Sequence, residues 1–242
     1  MRRVFYFWYA VGLILMLTVG VPSWLGFANG LFLLFFALYT LNVEGRLGEP
    51  RHARWPRAAL IGLATFLVEW LGVRTGWPFG EYAYTPLLGW GVGGVPLTIA
   101  CAWVGVVLLA ALVSESGSRW LRALLTGVWT VVFDLVLDPV AFAREFWIWG
   151  DGHGGGYFGV PIVNFVSWFV LSASLSLLLP VRMMTLAVRR EAVRLLQLML
   201  LMFGLLGAKE GLYIPLAVAL IGMLAAEGVL RYVPPRQPKP AV

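Results

Sequence analysis

Three carboxylates interrupt the apolar runs of this sequence. Glu69 lies in GLATFLVEWLGVRTGWPFGEYAY, and Asp134 and Asp138 lie in FDLVLDPVA. A carboxylate near the middle of a membrane helix costs about 2.5–3.5 kcal/mol on insertion scales, so each is a candidate for function. Asp134 and Asp138 are four residues apart, which on a helix is about 40° around the axis and one turn along it, and they therefore share a face. Two acids in different surroundings hold opposite protonation states, one giving a proton and the other taking one. The structural alternatives are a pairing of Asp134 with an arginine or a backbone donor, and a capping role for Asp138 at a helix exit before Pro139. Glu69 sits about one turn from the end of its run. Arg74, five residues on, is poorly placed to pair with it, and a partner on another helix fits better. Glu81, beyond the run, reads equally well as a solvated loop charge.

Aromatic residues gather around these acids: Trp77, Tyr82 and Tyr84 after Glu69, then Trp149, Tyr157 and Trp168 after Asp138. Taken singly, each is what an interfacial belt of a membrane protein contains. Their occurrence beside three acids is the stronger signal, because Trp and Tyr faces stabilise a desolvated cation by about 2 kcal/mol or more. An acid inside an aromatic cage is what protonation of an alkene requires. Asn164, three residues after Pro161, either hydrogen-bonds across helices or satisfies the first turn of its own. His153, in DGHGGG with Asp151 beside it, has no second histidine on its side of the membrane and no ligand spacing around it, so no metal is expected. The glycines of that loop do not form a dinucleotide-binding fingerprint, and no cofactor is expected.

The elements that must hold these groups are membrane helices. The 242 residues are 60% hydrophobic and 12% charged, with a mean hydropathy of +0.85, which indicates a multi-pass membrane protein. Apolar runs near 4–20, 24–42, 57–74, 93–113, 119–137, 161–180, 192–207 and 212–230 predict an all-α polytopic bundle of about eight transmembrane helices. The last two are the shortest, and 207–211 between them reads as either a turn or a kink. The first run lacks a small-residue cleavage site and is expected to be retained. The net charge of +6 comes from short basic patches between runs, with no basic-aromatic stripe, so no nucleic acid partner is expected. With both termini cytoplasmic, 15 of the 18 basic residues fall inside, as the positive-inside rule demands. The aromatic loops 74–92 and 139–161 then share the outer face. Residues 1–231 read as one helical domain, and the proline-rich 232–242 as a disordered cytoplasmic tail. Cys101, the single cysteine, reads as packing.

The segments EWLGVRTGWPFGEYAYTPLLG, VPLTIACAW, FDLVLDPVA and FWIWGDGHGGGYFGVPIVNFVSW resemble the bacterial and archaeal family of membrane carotenoid biosynthesis proteins, whose characterised members include end-group hydratases of the CruF type. The resemblance covers roughly the middle 100 residues and implies a cell-membrane enzyme that adds water to the terminal isoprenoid double bond of an acyclic carotenoid end. The product is a tertiary alcohol, made without a cofactor. Water adds to such an alkene only after an acid delivers a proton to its less substituted carbon. On this reading Asp134 is the donor, Asp138 or Glu69 accepts the proton of the attacking water, and Trp77, Tyr82, Trp149 and Tyr157 surround the cation, with Tyr84, Asn164 and Trp168 also at the substrate. The implied partners are the carotenoid, membrane lipid and other carotenoid biosynthesis enzymes. The rival readings are a transporter or lipid carrier using the acids as a proton relay, an end-group cyclase, and a structural subunit that organises the pathway. No internal repeat of the kind transporters show is evident.

Overall fold

Three of the longer elements begin immediately after a proline. In the computed structural model, which describes residues 1–150 and 156–232, Pro50, Pro96 and Pro161 are the extended residues that precede α3 (Arg51–Thr75), α4 (Leu97–Val113) and α6 (Ile162–Ser176). Proline lacks the N–H that a helix start would leave unpaired, and its fixed φ suits this position. Hydroxyl caps start two further helices. Ser118 Oγ accepts from Leu121 N ahead of α5 (Arg119–Ala143), and Thr185 Oγ1 accepts from Val188 N ahead of α7 (Leu186–Lys209). Such caps satisfy one of the orphan donors of the first turn. The remaining helices are α1 (Arg2–Leu17), α2 (Phe27–Glu44) and α8 (Tyr213–Tyr232).

These eight helices of the described residues lie where the eight apolar runs are read. Five of them, α2 with its short extension to Leu47, α3, α5, α7 and α8, are long and apolar enough to cross a membrane. α4 and α6 are apolar but shorter, at 17 and 15 residues. α7 and α8 are two helices: Gly211, at φ +78°, supplies the left-handed residue of the turn between them, a conformation glycine adopts without penalty. The expected tail, from residue 233 on, and His153 with Asp151 fall outside the described residues.

α4 is the centre. Every residue from Trp103 to Val113 is buried, as expected of a helix that is apolar on all sides. α8, by contrast, buries only Pro215, Ala219, Gly222 and Ala226, a stripe of small residues. A Cβ placed on Gly204 of α7 would lie 2.8 Å from Ala219 Cβ, so the two helices touch almost backbone to backbone, a common solution where lipid supplies no hydrophobic drive.

Two departures from the sequence reading affect the site. α5 does not end at Asp138: it runs through Pro139 to Ala143, with Val140 and Ala141 buried, so the loop begins at Arg144 and Asp138 is no exit cap. A proline φ is helical, and burial of the apolar turn beyond it offsets the hydrogen bond lost. The chain is also not purely helical. β1 (Tyr82–Tyr84) pairs antiparallel with β4 (Trp147–Trp149), and β2 (Gly91–Val92) with β3 (Val95–Pro96). The first ribbon joins the two long aromatic loops into one cover over the bundle.

At the opposite end, charges are matched inside the protein. Arg122 donates to the carbonyls of Ser176, Leu179 and Pro180 at 2.9, 2.6 and 2.7 Å, satisfying the C-terminal turn of α6. Glu49, buried between α2 and α3, accepts both arms of the Arg57 guanidinium and lies 3.1 Å from Arg182. The hydrogen bonds from Arg57 hold its carboxyl below the ordinary value of 4.5. A carboxyl depressed in the folded state contributes stability that is present above its unfolded value and lost as pH falls through the folded one. Thermal unfolding in detergent is therefore expected to show a midpoint that drops as pH is lowered below about 4.5. Glu49→Gln is expected to lower the midpoint by several degrees at neutral pH and to blunt that acid-dependent loss. An unchanged pH profile in Glu49→Gln would remove this ion cluster from the stability of the fold.

Candidate active site

The helical spacing of Asp134 and Asp138 places both on the face of α5 that meets α6, where they are 0% and 2% exposed. Asn164, in the first turn of α6, sits opposite. Its Nδ2 donates to Asp134 Oδ2 at 3.1 Å and also to Asp138 Oδ2, so one amide group joins the two carboxylates. The helices approach closely because residue 127 is glycine, where a Cβ would lie 2.6 Å from the Phe169 ring. Asp134 Oδ1 accepts no hydrogen bond from an amide or hydroxyl of the described residues.

Glu69 is held differently. Its Oε2 accepts from the Tyr82 hydroxyl and from the Tyr84 hydroxyl at 2.8 Å, and its Oε1 accepts from Trp103 Nε1 at 2.7 Å. Three neutral donors thus surround a carboxylate that is 3% exposed. The tyrosines belong to β1, outside the helices. Burial, and then the neighbouring Glu69 charge, pushes both hydroxyls above the ordinary phenol range and keeps them as donors. Tyr82 reaches across α3 only because residue 72 is glycine, where a Cβ would come within 2.8 Å of the hydroxyl. Arg74 does not pair with Glu69; its guanidinium lies over the Trp70 ring at 4.1 Å.

The ribbon turns alternate residues inward. Tyr82 faces Trp149 and Tyr84 faces Trp147, with ring centroids 5.2 and 5.9 Å apart, while Ile148 points out and is 52% exposed. Beneath them Trp103 stacks on Trp168 at 4.1 Å. These aromatic faces, with Glu69, Asp138 and Asn164, border a cavity of about 310 Å³ whose remaining wall is mostly apolar side chains of α1, α2, α4, α5 and α7. At its edge Arg144 pairs with Glu210 at 2.7 Å.

The structure thus brings together seven of the residues singled out in the sequence: Glu69, Asp138, Tyr82, Tyr84, Trp149, Asn164 and Trp168 all line the cavity. Asp134 does not line it and stands behind Asp138 and Asn164. Trp77 is 68% exposed on the surface, and Tyr157 packs on Phe165 of α6, 5.8 Å between centroids; neither borders the cavity. Sequence reasoning placed neither Trp103 nor Trp147 at the site, and Trp147 reads in the string as an interfacial belt residue. Trp103 lies mid-way along an apolar run, away from the interfaces where tryptophans are ordinarily found, and that position was its signal. Trp147 carried no such signal, because WIW is too short to be read as a strand and its inward direction follows from pairing with β1.

Residues 28–226 match the family described as carotenoid biosynthesis protein. The chain belongs to that family. The match takes in every acid of the site and both strands of its ribbon, leaving out α1. Among curated proteins, the bisanhydrobacterioruberin hydratase of Haloarcula japonica is 37% identical over 130 residues, which is 50% of this chain and 43% of that protein. The chain therefore aligns with less than half the length of this relative. No solved structure matches it.

The three donors on Glu69 make a quantitative expectation. Removing one hydrogen bond to a charged group costs about 1.5–3 kcal/mol. Trp103→Phe keeps a ring against Trp168 but loses the N–H together with the five-membered ring, so it leaves a cavity cost in any background, and the part of its effect that disappears in a Glu69→Gln background is expected to be of that order. A double-mutant cycle of unfolding free energies in detergent reads the coupling; additive effects would mean that the indole does not serve the carboxylate.

Proposed function

We propose that this protein is a carotenoid hydratase of the cell membrane that adds water to the terminal isoprenoid double bond of an acyclic carotenoid end group, giving a tertiary alcohol. The observation that carries the reading is the position of Asp138. It is a buried acid, joined to a second acid through one amide, at the wall of an apolar cavity lined with tryptophan and tyrosine faces, in a chain of a carotenoid biosynthesis family. The hydratase relative supports the reaction type.

The roles follow from the geometry. Two carboxylates meeting at one amide in an apolar site do not both carry charge, and the pair holds a transferable proton. Asp138, which borders the cavity, delivers that proton to the less substituted carbon of the alkene. The π bond breaks, a C–H bond forms, and a tertiary cation is left. Trp103, Trp168 and Trp149 offer it their ring faces. Glu69, held in place by three donors, presents its carboxyl to the site before the cation forms, the preorganisation that makes electrostatic catalysis effective. Water then captures the cation, and its surplus proton returns to the Asp138 carboxylate, which restores the pair. Asp134 and Asn164 act through Asp138 and are positioning residues. This exchanges the roles given to the two aspartates in the sequence reading, because Asp134 stands behind the wall of the cavity.

The basic bias of the alternate loops supports cytoplasmic termini and eight crossings, with the aromatic ribbon facing outward. Water reaches the cavity from that side, and the carotenoid comes from the lipid.

Pigments extracted from a host that accumulates an acyclic carotenoid, with and without this chain, test the proposal by mass spectrometry. The expected new product is heavier by one water. Asp138→Asn at matched membrane abundance is expected to lower its formation by about 10²–10⁴-fold, the contribution of a general acid. Asp134→Asn is expected to leave more residual activity than Asp138→Asn. A product of unchanged mass would indicate cyclisation in place of hydration, and full activity in Asp138→Asn would rule out the assigned donor.

A further inference from the structure

The cavity does not close around its contents. One of its walls is α1, the helix least enclosed by the bundle, of which only Phe5 and Tyr9 are buried. Trp8, Gly12 and Leu15 line the cavity from α1, and Leu25, Ala28 and Phe32 line it from the start of α2. Phe7 and Val11 border the same space although they are 66% and 41% exposed. The cavity therefore comes out onto the apolar outer surface at α1. From Phe7 to Met16 its border follows α1 over ten residues, about 14 Å along the axis at a rise of about 1.5 Å per residue.

This gap is held open by design of its edges. The Trp8 indole donates to the Ala28 carbonyl at 3.1 Å, fixing α1 to α2. Tyr9 donates to the Leu198 carbonyl at 2.8 Å and Lys209 to the Met16 carbonyl at 2.8 Å, fixing α1 to α7. Between these ties lies Gly12, where an added Cβ would meet only Met16 Cε, at 4.0 Å. A glycine inside a helix is about 1 kcal/mol worse than alanine, and here no close backbone approach requires it. Its effect is to leave the gap unfilled.

A cavity of about 310 Å³ accommodates the end of a carotenoid and not its whole polyene. We propose that the gap between α1 and α2 at Gly12 is a lateral port, through which the polyene passes into the lipid while its end group rests at Asp138. This inference builds on the hydratase reading. The occupant is a long, rigid, uncharged chain: the residues of α1 and α2 that line the gap carry no charge, and Lys209 at its end is already bonded to the carbonyls of Met16 and Thr18. The length of the gap along α1 aligns such a chain with the helix, so α1 acts as a ruler for how far the end group penetrates.

The test uses the full chain in membranes of a host that accumulates an acyclic carotenoid. Gly12→Trp fills the port and is expected to lower the hydrated product by about tenfold or more, as overpacking by a bulky ring does at roughly 1.4 kcal/mol per tenfold. Gly228→Trp, at a helical glycine of α8 with nothing within 4 Å, is the control for the substitution itself and is expected to be neutral. Ala28→Trp fills the same gap from the opposite wall if Gly12→Trp does not accumulate. A second readout is independent of turnover: a benzophenone side chain at position 11, irradiated in the membrane, is expected to form an adduct of pigment mass, whereas one at Leu224 is not. Undiminished product from Gly12→Trp, or adducts at position 11 with phospholipid alone, would overturn the port. Absence of a hydrated product from the wild type, with pigment still captured at position 11, would overturn the reaction and retain the port.

Discussion

A carboxylate in hydrocarbon has to be neutralised or surrounded, and this protein contains both solutions within one cavity wall. Asp134 and Asp138 are brought to a single amide, an arrangement that shares charge between them. Glu69 receives three hydrogen bonds from neutral aromatic donors. Much of the architecture follows from supplying those partners. α6 must approach α5 closely enough for Asn164 to reach both aspartates, which Gly127 permits. α4 must carry a tryptophan through the middle of the bundle. The loop after α3 must fold back over its own helix, which Gly72 permits, so that two tyrosines reach one carboxylate. Two of these requirements are absences of a side chain and would look like defects in a list of contacts.

The parts of this arrangement that were legible in the sequence are those governed by local periodicity. The helical offset of Asp134 and Asp138, the apolar lengths of the helices, and the proline before Asn164 all have short-range causes, and the structure has the corresponding elements. The pairing of the two aromatic loops is a contact across more than sixty positions in the chain, between Tyr82 and Trp149, and neither strand is long enough to announce itself. Trp77 and Tyr82 look equivalent in the string, yet one is on the surface and the other against Glu69, because the choice depends on how a loop folds back over α3. Pro139 was misread for a related reason: proline ends a helix only where no buried apolar turn follows it, and burial is a property of the neighbours.

The site also divides its labour between elements of different exposure. The acids and their amide are on helices, positioned to within the tolerance of helix packing, as suits groups that must meet a reacting carbon. The aromatic faces that complete the cavity come from the ribbon and from α4 and α6. The wall that faces the lipid is α1, which lies outside the region shared with the family. The buried acids and the most exposed wall of the cavity thus lie on separate parts of the chain.

The ribbon of β1 and β4 has one further property. Two of the three donors to Glu69 are carried by β1, and only Trp103 is carried by the bundle. Lifting the ribbon would leave a carboxylate in an apolar cavity with a single partner, and such a group is expensive to strand. The cover is therefore latched by the carboxyl beneath it. Closure of the ribbon over the cavity and completion of the hydrogen bonds to Glu69 are one event.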